Sequence, residues 1–208
     1  MSSTPTPGRA RPTRQQIAAA ATRQEILAAA RRLFGERGYV QTSIADIAEA
    51  AGVSIPTIYA SVGQKQAVVL ALIGFIDNRL GSNEARDSLL SMNDPVELLH
   101  AGLRVNRRLL EGYGDILAAL RSAAEQEPAV AEARARGRGF HELGSRRAAQ
   151  RLAELGALKE GLDVETAAGI IWVLTDWETI EKLRRDLKWD LDQAEAHLHE
   201  AVQRAVLQ

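Results

Sequence analysis

Residues 42–65 read TSIADIAEAAGVSIPTIYASVGQK and contain two short helical patterns separated by a glycine. In the first pattern the apolar residues share one helical face: Ile44, Ile47, Ala48 and Ala51. Ser43 precedes this face as an N-cap, with Asp46 three residues later as its partner. Gly52 permits the positive φ of a tight turn. The stretch is therefore predicted to begin with a capped helix that ends at a sharp turn.

The second pattern starts at Ser54, which is another N-cap residue type. Pro56 is tolerated in the first turn of a helix, and Ile58 points inward when Thr57 and Tyr59 point elsewhere. Two helices that cross steeply need a small residue where they approach, and Ala48 provides one. The stretch predicts a helix-turn-helix.

A helix-turn-helix places its second helix in the major groove of DNA. Residues expected to approach bases and phosphates there are Ser54, Ile55, Pro56, Thr57 and Tyr59. Lys65 begins the next predicted helix, where free backbone N–H groups favour a phosphate, and the same holds for Thr42 and Ser43. A glycine turn between helices also occurs in proteins that never touch DNA, so this motif alone leaves the question open.

Charge is distributed unevenly along the chain. Residues 1–65 carry eight basic and four acidic side chains, a formal charge of +4, whereas the remainder carries −5. A basic end suits a polyanion, although modest imbalances of this size are common.

A longer string surrounds the motif: Ile26-Leu27-x-Ala29-Ala30-x-x-Leu33-Phe34-x-x-x-Gly38-Tyr39-x-x-Thr42-Ser43-Ile44-x-x-Ile47-Ala48-x-x-Ala51-Gly52-Val53-Ser54-x-x-Thr57-Ile58-Tyr59, followed by Lys65. It resembles the N-terminal domain of the tetracycline-repressor (TetR) family of regulators over about 50 residues. The resemblance implies a regulator, most simply a repressor, whose DNA-contacting positions are Thr42, Ser43, Ser54, Pro56, Thr57, Tyr59 and Lys65.

One segment departs from the family pattern. After the tyrosine the family usually has aromatic residues ending in Phe, whereas this chain has Ala60-Ser61-Val62-Gly63-Gln64. Ala60 lacks a side chain that often touches the DNA backbone. We therefore expect differences in affinity or half-site preference at this edge of the motif.

The chain as a whole is predicted to be all-α, because Ala, Leu, Glu and Arg dominate and no alternating strand pattern occurs. Residues 1–14 form a basic arm that is expected to be disordered and carries Arg9, Arg11 and Arg14. Residues 15–65 form a three-helix DNA-binding domain, and residues 66–208 form a helical domain. The first helix starts at Thr13 or Thr22 and stops at Gly38. Later helices are predicted at about 65–78, 95–110, 115–126, 128–155, 163–187 and 190–207, with a polar break at Gly81 to Asn83.

The resemblance implies that the C-terminal domain binds a small effector and forms a homodimer through the last two helices. An apolar run, Ala167 to Leu174, and a stripe of Leu191, Ala194, Leu198, Ala201, Val202 and Ala205 agree with such an interface. The candidate ligand residues are the polar or aromatic groups Asn106, Tyr113, His141, Trp172 and Trp177, although packing roles are more common for such residues. The helix at 65–78 is expected to couple the two domains.

Several other classes of protein are disfavoured. The absence of cysteine excludes thiolate chemistry and cysteine metal sites, and no phosphate loop or nucleophile motif occurs. His197 and His199 point about 200° apart on a helix and are read as a solvated face, so no metal or cofactor is predicted. A signal peptide and a membrane-spanning run are both missing, and a cytoplasmic protein is expected. The remaining alternative is a helical adaptor that binds only protein.

Overall fold

The computed structural model describes residues 13–80 and 91–208, and regular structure in these residues is helical, as predicted. The helices in chain order are α1 (Arg14–Gln41), α2 (Ile44–Ala51), α3 (Ile55–Ser61), α4 (Lys65–Leu80), α5 (Pro95–Ala124), α6 (Pro128–Glu154), α7 (Val164–Thr175), α8 (Trp177–Leu187) and α9 (Leu191–Val206). Among the described helices, none is both long and apolar enough to cross a bilayer. Most of the predicted arm and the polar break at 81–83 lie outside the described residues.

The start of α1 is fixed by the first of the two predicted capping sites. Thr13 accepts a hydrogen bond from the backbone N–H of Gln16, whose side chain in turn accepts from the Thr13 N–H at 2.8 Å. Gly38, with φ of 82° and ψ of 165°, interrupts the helix where a stop was predicted. A short helical turn follows it before α2.

Helix α5 corrects the prediction of separate helices at 95–110 and 115–126. The helix continues through the region and bends at Tyr113, where φ is −142° and ψ is 16°. The carbonyl of Gly112 at this bend accepts a hydrogen bond from Arg31 at 2.6 Å. The helix continues on both sides of a bend that diverts one carbonyl to a side chain.

The prediction of a single helix at 163–187 is also wrong, because two helices occupy this segment. Asp176 has an extended backbone (ψ 137°) and separates α7 from α8. Its carboxylate accepts from the Glu178 N–H at 2.8 Å and so caps the start of α8.

Within residues 13–80 and 91–208, three groups of buried residues hold the fold together. We call helices α1–α3 the head and helices α5–α9 the body. The first group combines α1–α4 with the second half of α5, including Ile116 and Leu120, so the head shares a core with the body. The other two join α5 to α6, α7, α8 and α9.

The apolar stripe of α9 lies mainly in these cores. Ala194 and Val202 are 0% exposed and Leu198 is 6% exposed, all within one chain. The stripe therefore does not offer these side chains to a partner. Exposed apolar side chains occur instead on α6 and α7, at Phe140, Leu143 and Val173.

His197 and His199 point apart, as predicted, but only His197 is exposed. The His199 ring stacks on His100 of α5 with centroids 3.8 Å apart, which corrects the solvated reading of His199. Within the described residues no cluster of His, Cys, Asp or Glu is arranged to hold a metal ion.

Candidate DNA-binding surface

Helices α2 and α3 and the turn between them form a helix-turn-helix. Ile47 is 0% exposed and Ala48 is 4% exposed, so both face α1 and the core. Gly52 adopts the left-handed conformation (φ 66°, ψ 30°), and the Val53 N–H donates to the Ala48 carbonyl at 3.0 Å. The turn therefore needs glycine for the reason predicted from the sequence.

Helix α3 presents a continuous outer face. Its start is capped by Ser54, whose hydroxyl accepts from the Thr57 N–H and lies 2.8 Å from the Thr57 hydroxyl. Ile58 is fully buried and anchors the helix, whereas Tyr59 is 52% exposed and Ile55 41% exposed. Together with exposed Pro56, these residues form a surface that mixes hydroxyl and apolar groups, which is suited to base edges and thymine methyl groups.

Ser43 and Asp46 form the predicted capping pair at the start of α2. The Ser43 N–H donates to an Asp46 carboxylate oxygen at 2.7 Å, and its hydroxyl donates to the same oxygen at 2.6 Å. These hydrogen bonds lower the pKa of Asp46. The Ser43 side chain remains exposed, so a phosphate can still approach it.

Thr42 differs from the other predicted DNA-contacting residues. Its side chain is only 1% exposed, and its hydroxyl donates to the Gly38 carbonyl at 2.9 Å. The hydroxyl satisfies a carbonyl left free where Gly38 interrupts α1. The Thr42 side chain is therefore turned into the head and away from its surface.

Lys65 lies at the start of α4, half-buried against the head. Its ammonium is 4.1 Å from the centre of the Tyr39 ring and 3.4 Å from the Val40 carbonyl. Burial lowers the pKa of Lys65, although nearby Glu127 and Asp46 oppose this effect. A cation fixed against a ring at a helix N-terminus is a suitable phosphate contact.

The segment that departs from the family pattern is held by a residue that the sequence did not single out. Arg23 of α1 donates from Nη1 to the Ser61 carbonyl at 2.6 Å. Gly63 has φ of 111°, and its N–H donates to the Ile58 carbonyl. The end of α3 is thus fixed by an arginine and a glycine. In the predicted arm, Arg14 is exposed on α1, while Arg9 and Arg11 lie outside the described residues.

The five candidate ligand residues do not form one site. Asn106 and His141 meet, with Nδ2 and Nε2 3.5 Å apart, and the His141 Nε2 lies 3.0 Å from the Thr175 hydroxyl. His141 Nδ1 is 3.7 Å from the Asp176 carboxylate. Burial raises the pKa of Asp176. Hydrogen bonds from His141 and from the Glu178 N–H lower the pKa, and together the lowering effects outweigh burial, so the net shift is downward.

The other three candidates lie in different surroundings. Trp172 faces Arg138, with 5.4 Å between the guanidinium carbon and the ring centre, and Trp177 packs between two of the core groups. Tyr113 lies at the bend of α5, where Arg31 is 5.6 Å from its ring. A cleft of about 460 Å³ between α1, α5 and α8 is lined by none of the five. The polar group at His141 is therefore distinct from this cleft.

The N-terminal helices match a known family. A model described as bacterial regulatory proteins of the tetR family matches residues 26–72, from the buried part of α1 to α4. The chain belongs to the tetR family of bacterial regulatory proteins. This tetR-family protein is a DNA-binding transcriptional regulator, and it binds DNA through the helix-turn-helix described above.

Solved structures with the same fold cover almost the entire chain. NalD, described as the secondary repressor of the MexAB-OprM multidrug efflux pump in Pseudomonas aeruginosa, is 26% identical, with a TM-score of 0.67 over 92% of this chain and 98% of NalD. PfmR, a TetR-family regulator from Thermus thermophilus, is 23% identical, with a TM-score of 0.68 over 95% of this chain and 100% of PfmR.

A proposed transcriptional regulator from Saccharomonospora viridis, solved with choline, is 19% identical, with a TM-score of 0.75 over 91% of this chain and 99% of that one. At these identities the last two structures establish the fold alone. A search of curated protein sequences finds no match.

Proposed function

We propose that this tetR-family regulator is a ligand-responsive repressor that binds a palindromic operator as a homodimer. The observation that carries the proposal is the outer face of α3, where Tyr59 is 52% exposed beside exposed Ser54 and Pro56 while Ile58 is fully buried. The buried residue fixes the helix and leaves the others free to enter a major groove. Repression is supported by the likeness to NalD, which is described as a repressor.

DNA contact is assigned to the surface that surrounds this face. Ser54, Pro56, Thr57 and Tyr59 approach bases, and Ser43 and Lys65 approach phosphates. Thr42 supports this surface from inside the head, because its hydroxyl bonds the Gly38 carbonyl and its backbone N–H bonds the Tyr39 carbonyl. Since the target of such a regulator is chromosomal DNA, the protein acts in the cytoplasm.

A dimer is proposed because one small head reads too few bases to select a site in a genome. The proposed contact involves the α7 part of the predicted penultimate helix together with α6, where Val173 is 52%, Phe140 60% and Leu143 45% exposed. Exposed apolar groups on adjacent helices favour burial against a second copy. Val173→Asp should shift the protein to a monomer in sedimentation, whereas Leu187→Asp, at a similarly exposed position on α8, should not.

The effector is proposed to bind in the body near Asn106 and His141. Their polar contacts with Thr175 and Asp176 join α5 to α6 and to the junction between α7 and α8. A small molecule that separates these groups would shift the helices against one another and change the spacing of the two heads. The choline-bound relative shows that a protein of this fold can hold a small ligand.

The proposal is tested by selecting random genomic fragments on the purified protein and sequencing those retained. The expected result is a shared motif with two inverted half-sites, their centres separated by about one helical turn, 10–10.5 base pairs, or a multiple of it. Retention without any shared motif would contradict sequence-specific binding. A single half-site without an inverted copy would contradict the dimer.

A further inference from the structure

Tyr39 lies between two charged residues from opposite parts of the molecule. Its hydroxyl donates to Glu127 Oε1 at 3.1 Å, and its ring centre is 4.1 Å from the Lys65 ammonium. Glu127 belongs to the turn between α5 and α6 in the body, whereas Lys65 begins α4 at the candidate DNA-binding surface. One buried side chain therefore contacts both the body and the proposed phosphate contact.

The ring is held firmly by local structure. Gly38 turns the chain out of α1, and the next residue, Tyr39, enters the core with only 2% of its surface exposed. Its ring packs against Phe34, with centroids 5.5 Å apart. Packing fixes the ring, and the hydroxyl adds a polar contact between the ring and the body.

Glu127 occupies an N-cap position, but its side chain does not cap the helix. It is the N-cap residue of α6, a position whose side chain commonly accepts a hydrogen bond from the first helical N–H groups. The Glu127 side chain forms no such cap bond and accepts from Tyr39 instead. Burial first, and then the bond to Glu127, raises the pKa of Tyr39, so the phenol stays protonated and remains a donor.

On the other side of the ring, the Lys65 ammonium has little freedom. It is held over the ring and also directed to the Val40 carbonyl at 3.4 Å. Movement of the ring therefore moves the preferred position of the ammonium.

We propose that Glu127 and Tyr39 are positioning residues through which the body sets the geometry of the Lys65 phosphate contact. The inference rests on the proposed function, in which Lys65 contacts DNA. Because Glu127 starts α6, and α6 also carries His141, displacement of this helix in the body reaches the DNA-binding surface without passing along α4.

The decisive variant is Tyr39→Phe, which keeps the ring and the charge but removes the hydroxyl. Loss of one hydrogen bond predicts that the dissociation constant for the selected duplex rises about twofold to tenfold. Lys65→Met should weaken binding and lower the slope of log affinity against log salt by about one. In the Lys65→Met background, Tyr39→Phe should have no further effect, because it acts through the lysine.

Two variants at Glu127 separate positioning from simple electrostatics, because the carboxylate also acts on Lys65 through its charge. Glu127→Gln removes the negative charge but keeps a side-chain oxygen that can accept from Tyr39, whereas Glu127→Ala removes both. Glu127→Ala should bind the duplex more weakly than Glu127→Gln.

The position of the lysine can be followed directly. The chain has only four lysines, Lys65, Lys159, Lys182 and Lys188, so ¹³C-lysine labelling gives few signals. The Tyr39 ring should shift the Lys65 ε-proton signal upfield, and this shift should shrink in Glu127→Ala but not in Glu127→Gln.

The outcomes test the Lys65 phosphate contact and the positioning role of Tyr39 separately. An unchanged affinity and salt slope in Lys65→Met would overturn the phosphate contact and the positioning role with it. If Lys65→Met behaves as expected but Tyr39→Phe binds like the unmodified protein, or weakens binding equally in the Lys65→Met background, only the positioning role is overturned. A general folding defect would weaken binding equally with and without Lys65→Met, so it cannot be mistaken for the expected result.

Discussion

Arg31 and Asp115 join α1 to α5 through two hydrogen bonds, from Nε to Oδ2 at 2.6 Å and from Nη2 to Oδ1 at 2.9 Å. The same guanidinium donates to the Gly112 carbonyl at the bend of the helix. The first helix of the DNA-binding head is thus fixed to the body independently of α4, which the sequence singled out as the connection. A two-point arginine–carboxylate pair also fixes orientation as well as distance.

Breaking this pair should have a measurable but small effect on stability. The side chains are 40% and 31% exposed, so Asp115→Asn is expected to cost about 0.5–1 kcal/mol in urea unfolding. A double-mutant cycle with Arg31→Met should give a coupling energy of similar size. A coupling near zero would show that the contact does not hold the head to the body.

Two isoleucines in α3 should respond very differently to truncation. Ile58 is 0% exposed, so Ile58→Ala should lower the free energy of unfolding by about 2–5 kcal/mol through lost burial and a cavity. Ile55 is 41% exposed, and Ile55→Ala should change it by no more than about 0.5 kcal/mol. Urea denaturation measures both. Equal losses would mean that the inner and outer faces of α3 are assigned incorrectly.

Stability should depend on pH through His199. Burial, and then the stacked His100, lowers the pKa of His199 from its ordinary 6.5, while Glu195 opposes this and Arg104 adds to it. The unfolded chain therefore binds more protons below pH 6.5 than the folded chain does. The contribution of His199 is complete above 6.5 and is lost as pH falls towards the folded pKa.

Urea midpoints measured as pH falls from about 7.5 to 5 test this effect. His199→Gln should flatten the decline, whereas His197→Gln, at an exposed position on the same helix, should leave it in place. An unchanged decline in His199→Gln would assign it to other groups.

Much of the head follows from local signals in the sequence. The capping pair at Ser43 and the turn at Gly52 depend on contacts within a few residues and occur as predicted, and the capping pair at Thr13 is one of the two that the sequence offered. The helix breaks further along the chain depend on tertiary partners. Arg31 satisfies the bend at Gly112, and Asp176 caps a helix inside a segment of otherwise good helix formers.

The candidate sites show the same limit. Periodicity identified the apolar face of α9 but could not decide between the chain's own core and a partner, and the residues at its centre are buried within one chain. Thr42 has the residue type of a phosphate contact, yet its hydroxyl bonds a carbonyl made available by the distortion at Gly38. The partnership of Tyr39 with Glu127 spans 88 positions and has no signature in the local sequence.

The most direct test of sequence reading by α3 compares binding to the selected duplex and to a scrambled duplex of equal length and composition, at one salt concentration. The unmodified protein should prefer the selected duplex by at least about 10³-fold. Tyr59→Ala should reduce that preference by about tenfold or more, because a base contact is removed, while its binding to the scrambled duplex changes little. Equal binding to both duplexes by the unmodified protein, or an undiminished preference in both Tyr59→Ala and Thr57→Ala, would contradict the assignment of α3 as the helix that reads DNA.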